Sequence, residues 1–483
     1  MIGRLDVVDH EDAAPLPTRG RRRWVAGGLC LGWLVVATWL QLIRGTGHRT
    51  YDVLWAEDGG VFLNQAMRHS LWENLAGPHA GYLQVVARLI AQPAGSLPIE
   101  WAAGWMAASS AVVVALISLL VWFCSGRVLT NLWARAVLAA LVPLLPQMGF
   151  EVGGAISNLH WYLAYAAFWV LLAAPRTVRG QLGAAGVVVL AALSDPLTAL
   201  VLPIAVVGLL RAPNRRLALI APAAMIVALA VQGWVHLTMT VPFRPNPTVV
   251  GDLPKIYALR VVMSAVVGDR ALAWLYVPLG LTIVAVISVL VLAGLAALLR
   301  IADRPARLVA VLSLLMSVAY LVVALGLRGT VGILHRDGFA LAESRYTIVP
   351  LLLLWTAVIV LLDQLATRSE ANRGSLKVGT PALIGIVTAA FLAVQLLNDW
   401  GLVTVRSAGP SWSAGLHAAE ATCRKPPAQR DPQPAPLVAE RQGKGSAPLV
   451  PGPDDVTVAV APVLSPGATL LFAVVVPCSS LRN

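Results

Sequence analysis

The chain has 483 residues, of which 58% are hydrophobic and only 12% are charged, and its mean hydropathy is +0.75. Soluble domains carry roughly a quarter charged residues, so this composition excludes an ordinary soluble protein. The net charge of +12 does not indicate nucleic-acid binding, because the basic residues are spread over short loops without an interleaved aromatic stripe. Recurring apolar runs of about 20 residues predict an all-α polytopic membrane protein rather than a barrel.

Residues 1–23 are predicted to be a cytoplasmic basic segment that ends just before the first apolar run. That run is too long for a signal peptide and lacks a small-residue cleavage site, so it predicts a retained span. Eleven spans are predicted, at 24–43, 102–123, 134–148, 158–173, 183–193, 196–210, 217–239, 273–299, 307–327, 346–362 and 380–397. The transmembrane domain therefore covers 24–398, and its first outer loop is 44–101.

Basic residues are concentrated in every second short loop, and the intervening loops hold few. This pattern follows the positive-inside rule, which places the loops rich in Lys and Arg in the cytoplasm. The N-terminus is therefore predicted to be cytoplasmic, and the tail at 399–483 is predicted to lie outside the plasma (inner) membrane. Any active site is expected to face outward, because the polar clusters collect in the outer loops.

The first outer loop begins with an acidic motif, Trp55–Gly60, which contains Glu57 and Asp58. Carboxylates are costly near hydrocarbon, so the pair predicts a function, although Asp-Gly also suits a solvated turn. In the functional interpretation, Asp58 is a general base that takes a proton from an acceptor hydroxyl. Glu57 could bind a divalent cation or an acceptor sugar, and the two glycines after Asp58 would let the backbone approach closely.

Two amphipathic helices are predicted in the remainder of this loop, at 61–72 and 82–92, and both are expected in the membrane interface. In the second, Gln84, Arg88 and Gln92 form a polar stripe on an otherwise apolar helix, which Pro93 is expected to end.

Other polar groups on the outer side are candidates for substrate binding: Asn158, His160, Trp161, Asp195 and Arg244. The first three open the fourth span and suit a sugar or pyrophosphate site. The alternative is that His160 is a hydrogen-bonded residue at the membrane interface. Asp195 precedes a proline and suits a helix cap, with a role in the site as the alternative. Arg244 stands in a proline-rich outer loop.

Arg345 and Tyr346 stand at the outer start of the tenth span. An arginine there either anchors the helix at the interface or clamps a phosphate leaving group with its planar fork. His335 and Arg336 lie one short loop away and could join such a clamp.

The composition changes after Leu397, and the tail predicts a Pro-rich linker followed by short strands near 456–460 and 468–476. Cys423 and Cys478 would form a disulfide if the tail faces an oxidising compartment. No zinc spacing is present, and no phosphate-binding or dinucleotide-binding glycine motif occurs. An outward-facing transferase without nucleotide sugars would need a lipid-linked donor.

These motifs resemble those of GT-C-fold integral membrane glycosyltransferases, and most closely those of bacterial, actinobacterial members. The resemblance rests on the acidic motif Trp55–Gly60, Phe62-Leu63 and the Ser344-Arg345-Tyr346 step. It implies a polyprenyl-phosphate-linked sugar as donor, a glycan or glycolipid acceptor of the cell envelope, and an acidic base in the first outer loop. It also implies that Arg345 holds the lipid phosphate, so that Asp58 and Arg345 share one outward-facing pocket.

Two other classes of function remain open from the residues alone. A lipid or glycolipid transporter or flippase would carry ionisable groups near the bilayer midplane, whereas these spans hold almost none there. A non-catalytic envelope assembly protein would use the tail to bind a partner.

Overall fold

The computed structural model describes residues 19–149, 151–238, 247–336, 344–371, 379–434, 449–463 and 471–481. The fold is almost entirely helical, as predicted. Its helices are Arg19–Ile43, Leu71–Ala76, Val85–Ala94, Ala102–Ser125, Leu132–Leu144, Leu159–Ala173, Val178–Ala192, Ile204–Arg211, Ile220–Thr238, Ser264–Leu279, Leu281–Ile301, Arg304–Arg328, Ile348–Ala371, Gly379–Trp400 and Trp412–Cys423, with shorter pieces at Asn64–Ala66, Arg215–Ala218 and Leu253–Tyr257. The strands Asp455–Ala459 and Ala473–Pro477 form the small sheet of the tail.

Within the described ranges, eight helices are long and apolar enough to cross a membrane. They are Val25–Ile43, Ile99–Ser125, Ile156–Ala173, Arg215–Thr238, Leu281–Ile301, Arg304–Arg328, Ser344–Arg368 and Pro381–Trp400. The chain is therefore a multi-pass membrane protein. The predicted spans at 134–148 and 183–193 correspond to shorter apolar helices, and the one at 196–210 divides into a 3-10 segment and the helix Ile204–Arg211.

The predicted span 273–299 is wrong in its boundaries. Gly280 has φ +59°, a left-handed conformation that ends the helix Ser264–Leu279. A new helix then begins at Leu281 and runs to Ile301. Glycine adopts this conformation without the steric cost that a Cβ would bring, so the break is encoded locally but hidden inside an apolar run.

The helix Leu159–Ala173 forms the centre of the transmembrane domain. Every residue from Leu159 to Leu172 is buried, which agrees with a sequence that is apolar on all sides. It packs against the neighbouring helices Ala102–Ser125 and Val178–Ala192. Its Tyr165 hydroxyl lies 2.8 Å from the Thr356 hydroxyl of a late span. The N-terminal end of this helix, which is predicted to face outward, is consequently held in place by the packing around it.

The first outer loop contains short helices as predicted, but its polar stripe faces inward. Arg88 is 2% exposed, and its Nη1 donates to Gln65 Oε1 at 2.6 Å. Gln92 donates to the carbonyl of His69 at 3.2 Å. The stripe thus joins pieces of the loop to each other, and the helix continues one residue past Pro93 to Ala94.

The tail packs directly on the first outer loop. Asn64 donates from Nδ2 to the Ala473 carbonyl at 2.8 Å and accepts from the Val475 amide at 2.9 Å. Arg68 donates to the Val475 carbonyl at 2.8 Å. These side chains satisfy the free edge of the second strand, much as a neighbouring strand would. The loop and the tail therefore form one layer, named the outer layer because both are predicted to lie outside the membrane.

The helix Trp412–Cys423 was not predicted. It belongs to the same layer, because its first residues bind the first outer loop. Asp52 accepts from the Ser413 amide at 2.9 Å at its N-terminus, and the Trp412 indole donates to the Ile99 carbonyl at 3.0 Å. Its last residue, Cys423, forms a disulfide with Cys478, which follows the second strand.

Candidate functional site

Asp58 lies at the centre of the outer layer and is only 1% exposed. Its two carboxylate oxygens accept from the backbone amides of Ile156, at 3.1 Å, and Ser157, at 2.9 Å. These residues form the single turn of 3-10 helix that leads into the central helix. Asp58 therefore fixes the first outer loop to the start of that helix, and its carboxylate is buried.

Arg406 of the tail is the cation that faces Asp58. It is 5% exposed, and its guanidinium donates to the carbonyls of Val53, at 3.1 Å, and Gly153, at 2.8 Å. Burial raises the pKa of Asp58 to about 6, and the Arg406 charge and the Ser157 amide oppose that rise. A carboxyl with this pKa changes its charge close to neutral pH.

The two glycines after Asp58 serve packing rather than substrate approach. A Cβ on Gly59 would meet Val460 and Val474 at 3.0 Å, and one on Gly60 would meet Phe472 at the same distance. The acidic motif lies against the tail strands at this point. Side chains of the tail therefore occupy the space beside these glycines, where the sequence predicted that a substrate could approach.

Glu57 differs from Asp58 in its exposure. It is partly exposed, and its charge acts on His79 and Tyr82. Burial lowers the pKa of His79 and raises the pKa of Tyr82. Of the two adjacent carboxylates, Glu57 is the one that a substrate could reach.

Arg345 is held by Glu151, which was not among the predicted site residues. The Arg345 amide donates to Glu151 Oε1 at 2.9 Å, and Nη1 lies 3.8 Å from Oε2. The guanidinium carbon lies 5.1 Å from the centre of the Tyr346 ring. The Arg345 side chain is 26% exposed, so it can still meet a ligand.

A series of neighbouring rings extends from Tyr346 through Trp161 and His160 to Tyr82. Trp161 meets Tyr346 edge-on with centroids 5.6 Å apart, and His160 lies 4.4 Å from Trp161. Tyr82 of the first outer loop meets His160 at 6.5 Å. Asn158 donates to the Glu151 carbonyl at 3.2 Å, which ties the start of the central helix to the segment that holds Arg345.

Asp195 is a helix cap and also reaches this cluster. Its Oδ1 accepts from the Leu197 amide at 2.9 Å, and its Oδ2 lies 3.9 Å from His160 Nε2. Burial raises the pKa of Asp195 to about 7, against the effect of the Leu197 amide and the Arg328 charge. The charge of Arg328, the last residue of the helix Arg304–Arg328, also acts on Tyr82. Arg328 was not among the predicted site residues.

One predicted member of the phosphate clamp, Arg336, binds another segment of the chain. Arg336 is exposed and donates from Nε to the Val277 carbonyl at 2.8 Å. His335 is also exposed. Arg244 lies outside the described residues. Among the described residues, no group of three or more His, Cys, Asp or Glu side chains could hold a metal ion, so the binding of a divalent cation at Glu57 stays a prediction.

No protein-family model matches the chain, and no curated protein matches it. Three solved structures do. Arabinofuranosyltransferase AftD from Mycobacteria is 16% identical with a TM-score of 0.46, over 91% of this chain and 32% of that one. The oligosaccharyltransferase of Archaeoglobus fulgidus is 12% identical with a TM-score of 0.37, over 81% and 55%.

The third structure is oligosaccharyltransferase AglB from Archaeoglobus fulgidus, in complex with an inhibitory peptide and a dolichol-phosphate. It is 11% identical with a TM-score of 0.37, over 83% of this chain and 58% of that one. All three are glycosyltransferases, the class that the sequence resembles. This chain covers about a third of the length of the arabinofuranosyltransferase. The likeness concerns the overall fold and carries no statement about donor, acceptor or activity.

Proposed function

We propose that this chain is a membrane glycosyltransferase that moves a sugar from a polyprenyl-phosphate donor to a glycan or glycolipid acceptor outside the plasma membrane. One observation carries the proposal. Asp58 and Arg345, far apart in sequence, both bind the short segment 151–157. This shared segment supports the proposal, because it connects the acidic motif and the arginine proposed to bind phosphate to the start of the central helix.

The proton acceptor in this proposal is Glu57, with Asp58 as the residue that positions it. Glu57 is partly exposed, whereas Asp58 is buried and both of its oxygens already accept amide hydrogen bonds. A general base must come within hydrogen-bond reach of the proton that it removes. In this proposal Asp58 holds the turn that carries Glu57, whose charge acts on Tyr82.

Arg345 is the proposed contact for the departing lipid phosphate. Its guanidinium is held by Glu151 on one side and the Tyr346 ring on another, which fixes its direction. Arginine suits this task because its planar fork matches phosphate oxygens. Arg328 adds a second positive field on the same cluster, and the Trp161 and Tyr346 rings offer faces on which a sugar could stack.

The reaction balances without any further reactant. The acceptor hydroxyl gives its proton to the Glu57 carboxylate as its oxygen forms a bond to the anomeric carbon. The bond between that carbon and the phosphate oxygen breaks, and the lipid phosphate leaves with the electron pair. Stabilising the charge that develops on the leaving group is the largest single contribution available to such an enzyme.

The test uses the full chain in nanodiscs, with synthetic polyprenyl-phosphate-linked arabinose, mannose and glucose as probes and a cell-envelope glycan extract as acceptor. The measured products are free polyprenyl phosphate and glycosylated acceptor. Glu57→Gln should lower turnover about 100-fold or more, which is typical for loss of a general base. Arg345→Gln should lower it about 10–100-fold, as expected for loss of a charge-assisted contact.

Arg336→Gln is the matched control, because Arg336 belongs to the same outer connection but binds the Val277 carbonyl outside the cluster. It should keep turnover within about twofold. If Glu57→Gln kept full activity and a well-folded Asp58→Asn variant lost it, Asp58 would be the general base instead. Counterflow of intact donor without any covalent product would reject the transferase and favour a transporter.

A further inference from the structure

The turn that carries Tyr82 is strained. His79 and Tyr82 exchange backbone hydrogen bonds, at 2.9 Å from the His79 amide and 3.2 Å from the Tyr82 amide. Between them, Ala80 has φ +53° and Gly81 has φ +98°. Two positive φ angles are typical of a type I′ turn, which glycine adopts freely, whereas alanine meets a steric cost. Such strain persists only where the surrounding structure determines the conformation, and it is frequent at functional sites.

Two side chains of one long helix, Gln232 and His236, hold this turn in place. Gln232 is 2% exposed, and its Oε1 accepts from the Leu83 amide at 2.9 Å while its Nε2 donates to the Leu83 carbonyl at 3.2 Å. His236 Nδ1 lies 3.2 Å from the Gly81 carbonyl. The backbone is therefore fixed on both sides of Tyr82, and this fixes the direction of its Cα–Cβ bond.

The Tyr82 side chain ends in a polar group that the protein itself does not use. The residue is partly exposed. Within the ranges that the structure describes, its hydroxyl makes no hydrogen bond, and its oxygen is not among the enclosed polar atoms. A phenol both donates and accepts, as a sugar hydroxyl does. The two groups can therefore bind each other without displacing a partner inside the chain.

The surroundings of Tyr82 indicate which sugar it would meet. The Glu57 carboxylate, the Arg328 guanidinium and the Tyr346 phenol all act electrostatically on its hydroxyl. Glu57 is the proposed proton acceptor, and Tyr346 lies beside Arg345, the proposed contact for the phosphate. In the transfer reaction, the donor sugar lies between the attacking hydroxyl and the phosphate. Tyr82 is thus close to the groups that would flank this sugar.

We propose that the Tyr82 hydroxyl hydrogen-bonds one hydroxyl of the donor sugar and so selects among lipid-linked sugars. The inference rests on the proposed glycosyltransferase function, which places the donor sugar between Glu57 and Arg345. A site built to hydrogen-bond a particular hydroxyl of its substrate rejects an analogue that lacks it. Selection by Tyr82 therefore predicts a discrimination that depends on one phenol oxygen.

The test removes that oxygen without disturbing the turn. Tyr82→Phe breaks no hydrogen bond to another described residue, and it keeps the ring beside His160. It should therefore unfold at the wild-type temperature. Tyr51→Phe is the matched control, because it removes the same atom from a tyrosine of the same outer loop that is 48% exposed.

Native mass spectrometry on the full chain in mixed micelles gives the apparent dissociation constants. The probes are polyprenyl-phosphate-linked arabinose, mannose and glucose, together with analogues of each that lack one sugar hydroxyl. For the sugar that the wild type binds most tightly, loss of one particular hydroxyl should weaken binding about 3–10-fold, as expected for a single hydrogen bond. In Tyr82→Phe, that analogue and the complete sugar should bind within about twofold of each other. Tyr51→Phe should keep the wild-type ratio.

The proposal is overturned if Tyr82→Phe keeps the wild-type ratio, or if the wild type does not discriminate against any of the analogues. Equal loss of the ratio in Tyr82→Phe and Tyr51→Phe would also overturn it. Release of free polyprenyl phosphate is followed with the same donors, which separates this inference from the proposed function. Discrimination without any product would reject the transferase and leave the Tyr82 contact standing. Product formation with an unchanged ratio in Tyr82→Phe would reject the contact and leave the transferase standing.

Discussion

Replacement of Asn64 by alanine should separate the tail from the first outer loop. Asn64 is 3% exposed and bonds the Ala473 carbonyl and the Val475 amide, which belong to fully buried residues of the second strand. Asn64→Ala would leave both backbone groups without a partner. Each orphaned buried group costs about 1–3 kcal/mol, so the expected loss of stability for the two groups is about 2–6 kcal/mol.

Two measurements test this estimate. Thermal unfolding in detergent reports the global loss, and hydrogen exchange reports the Val475 amide, which should exchange faster in Asn64→Ala than in the wild type. Asn398→Ala is the matched control, because within the described ranges the one hydrogen bond of the Asn398 side chain is a long 3.4 Å contact with Asp399. It should cost less than about 1 kcal/mol. If Asn64→Ala unfolds at the wild-type temperature and the Val475 amide stays protected, the tail is not held by this side chain.

Three further predictions concern other parts of the molecule. The folded pKa of Asp58, about 6, lies above its ordinary 3.8, so the folded state binds the extra proton. Stability should therefore fall as pH rises from about 4 to 6, by about 3 kcal/mol at most, and Asp58→Asn should remove that slope in unfolding scans. Cys423→Ser with Cys478→Ser opens a loop of 55 residues and should cost about 2–4 kcal/mol, seen as a lower melting temperature; an unchanged melting temperature would contradict it. Tyr165→Phe breaks the bond to Thr356 and should cost only about 0.6–1.7 kcal/mol, because hydrogen bonds within membranes are weak; a larger loss by thermal unfolding would refute that value.

The tail has a structural role that bears on experiments with truncated chains. Arg406 lies in the region after residue 399, yet it binds Val53 and Gly153 and acts on Asp58. Removal of the tail would take away this cation and uncover the acidic motif. Loss of activity in such a truncation would therefore not distinguish a scaffold from an enzyme.

Several members of the site could be predicted from local sequence. Glu57 and Asp58 stand out because carboxylates are rare beside membrane spans, and Arg345 and Tyr346 because they begin a span. Glu151, Arg328 and Arg406 could not be selected in this way. Glu151 and Arg328 stand in predicted outer loops and Arg406 stands in the tail, and only a long-range partner distinguishes each of them: Arg345 for Glu151, the aromatic cluster for Arg328, and Asp58 for Arg406.

Hydropathy alone determined that this chain is a helical membrane protein, because apolar runs of about 20 residues have no other stable placement. It could not determine the direction of the side chains at the outer surface. Asp58 and Glu57 are neighbours in sequence but differ in exposure, since backbone amides of the turn before the central helix bind the buried Asp58, whereas Glu57 is partly exposed. That choice depends on contacts between segments about a hundred or more residues apart, and such contacts exist only in the folded chain.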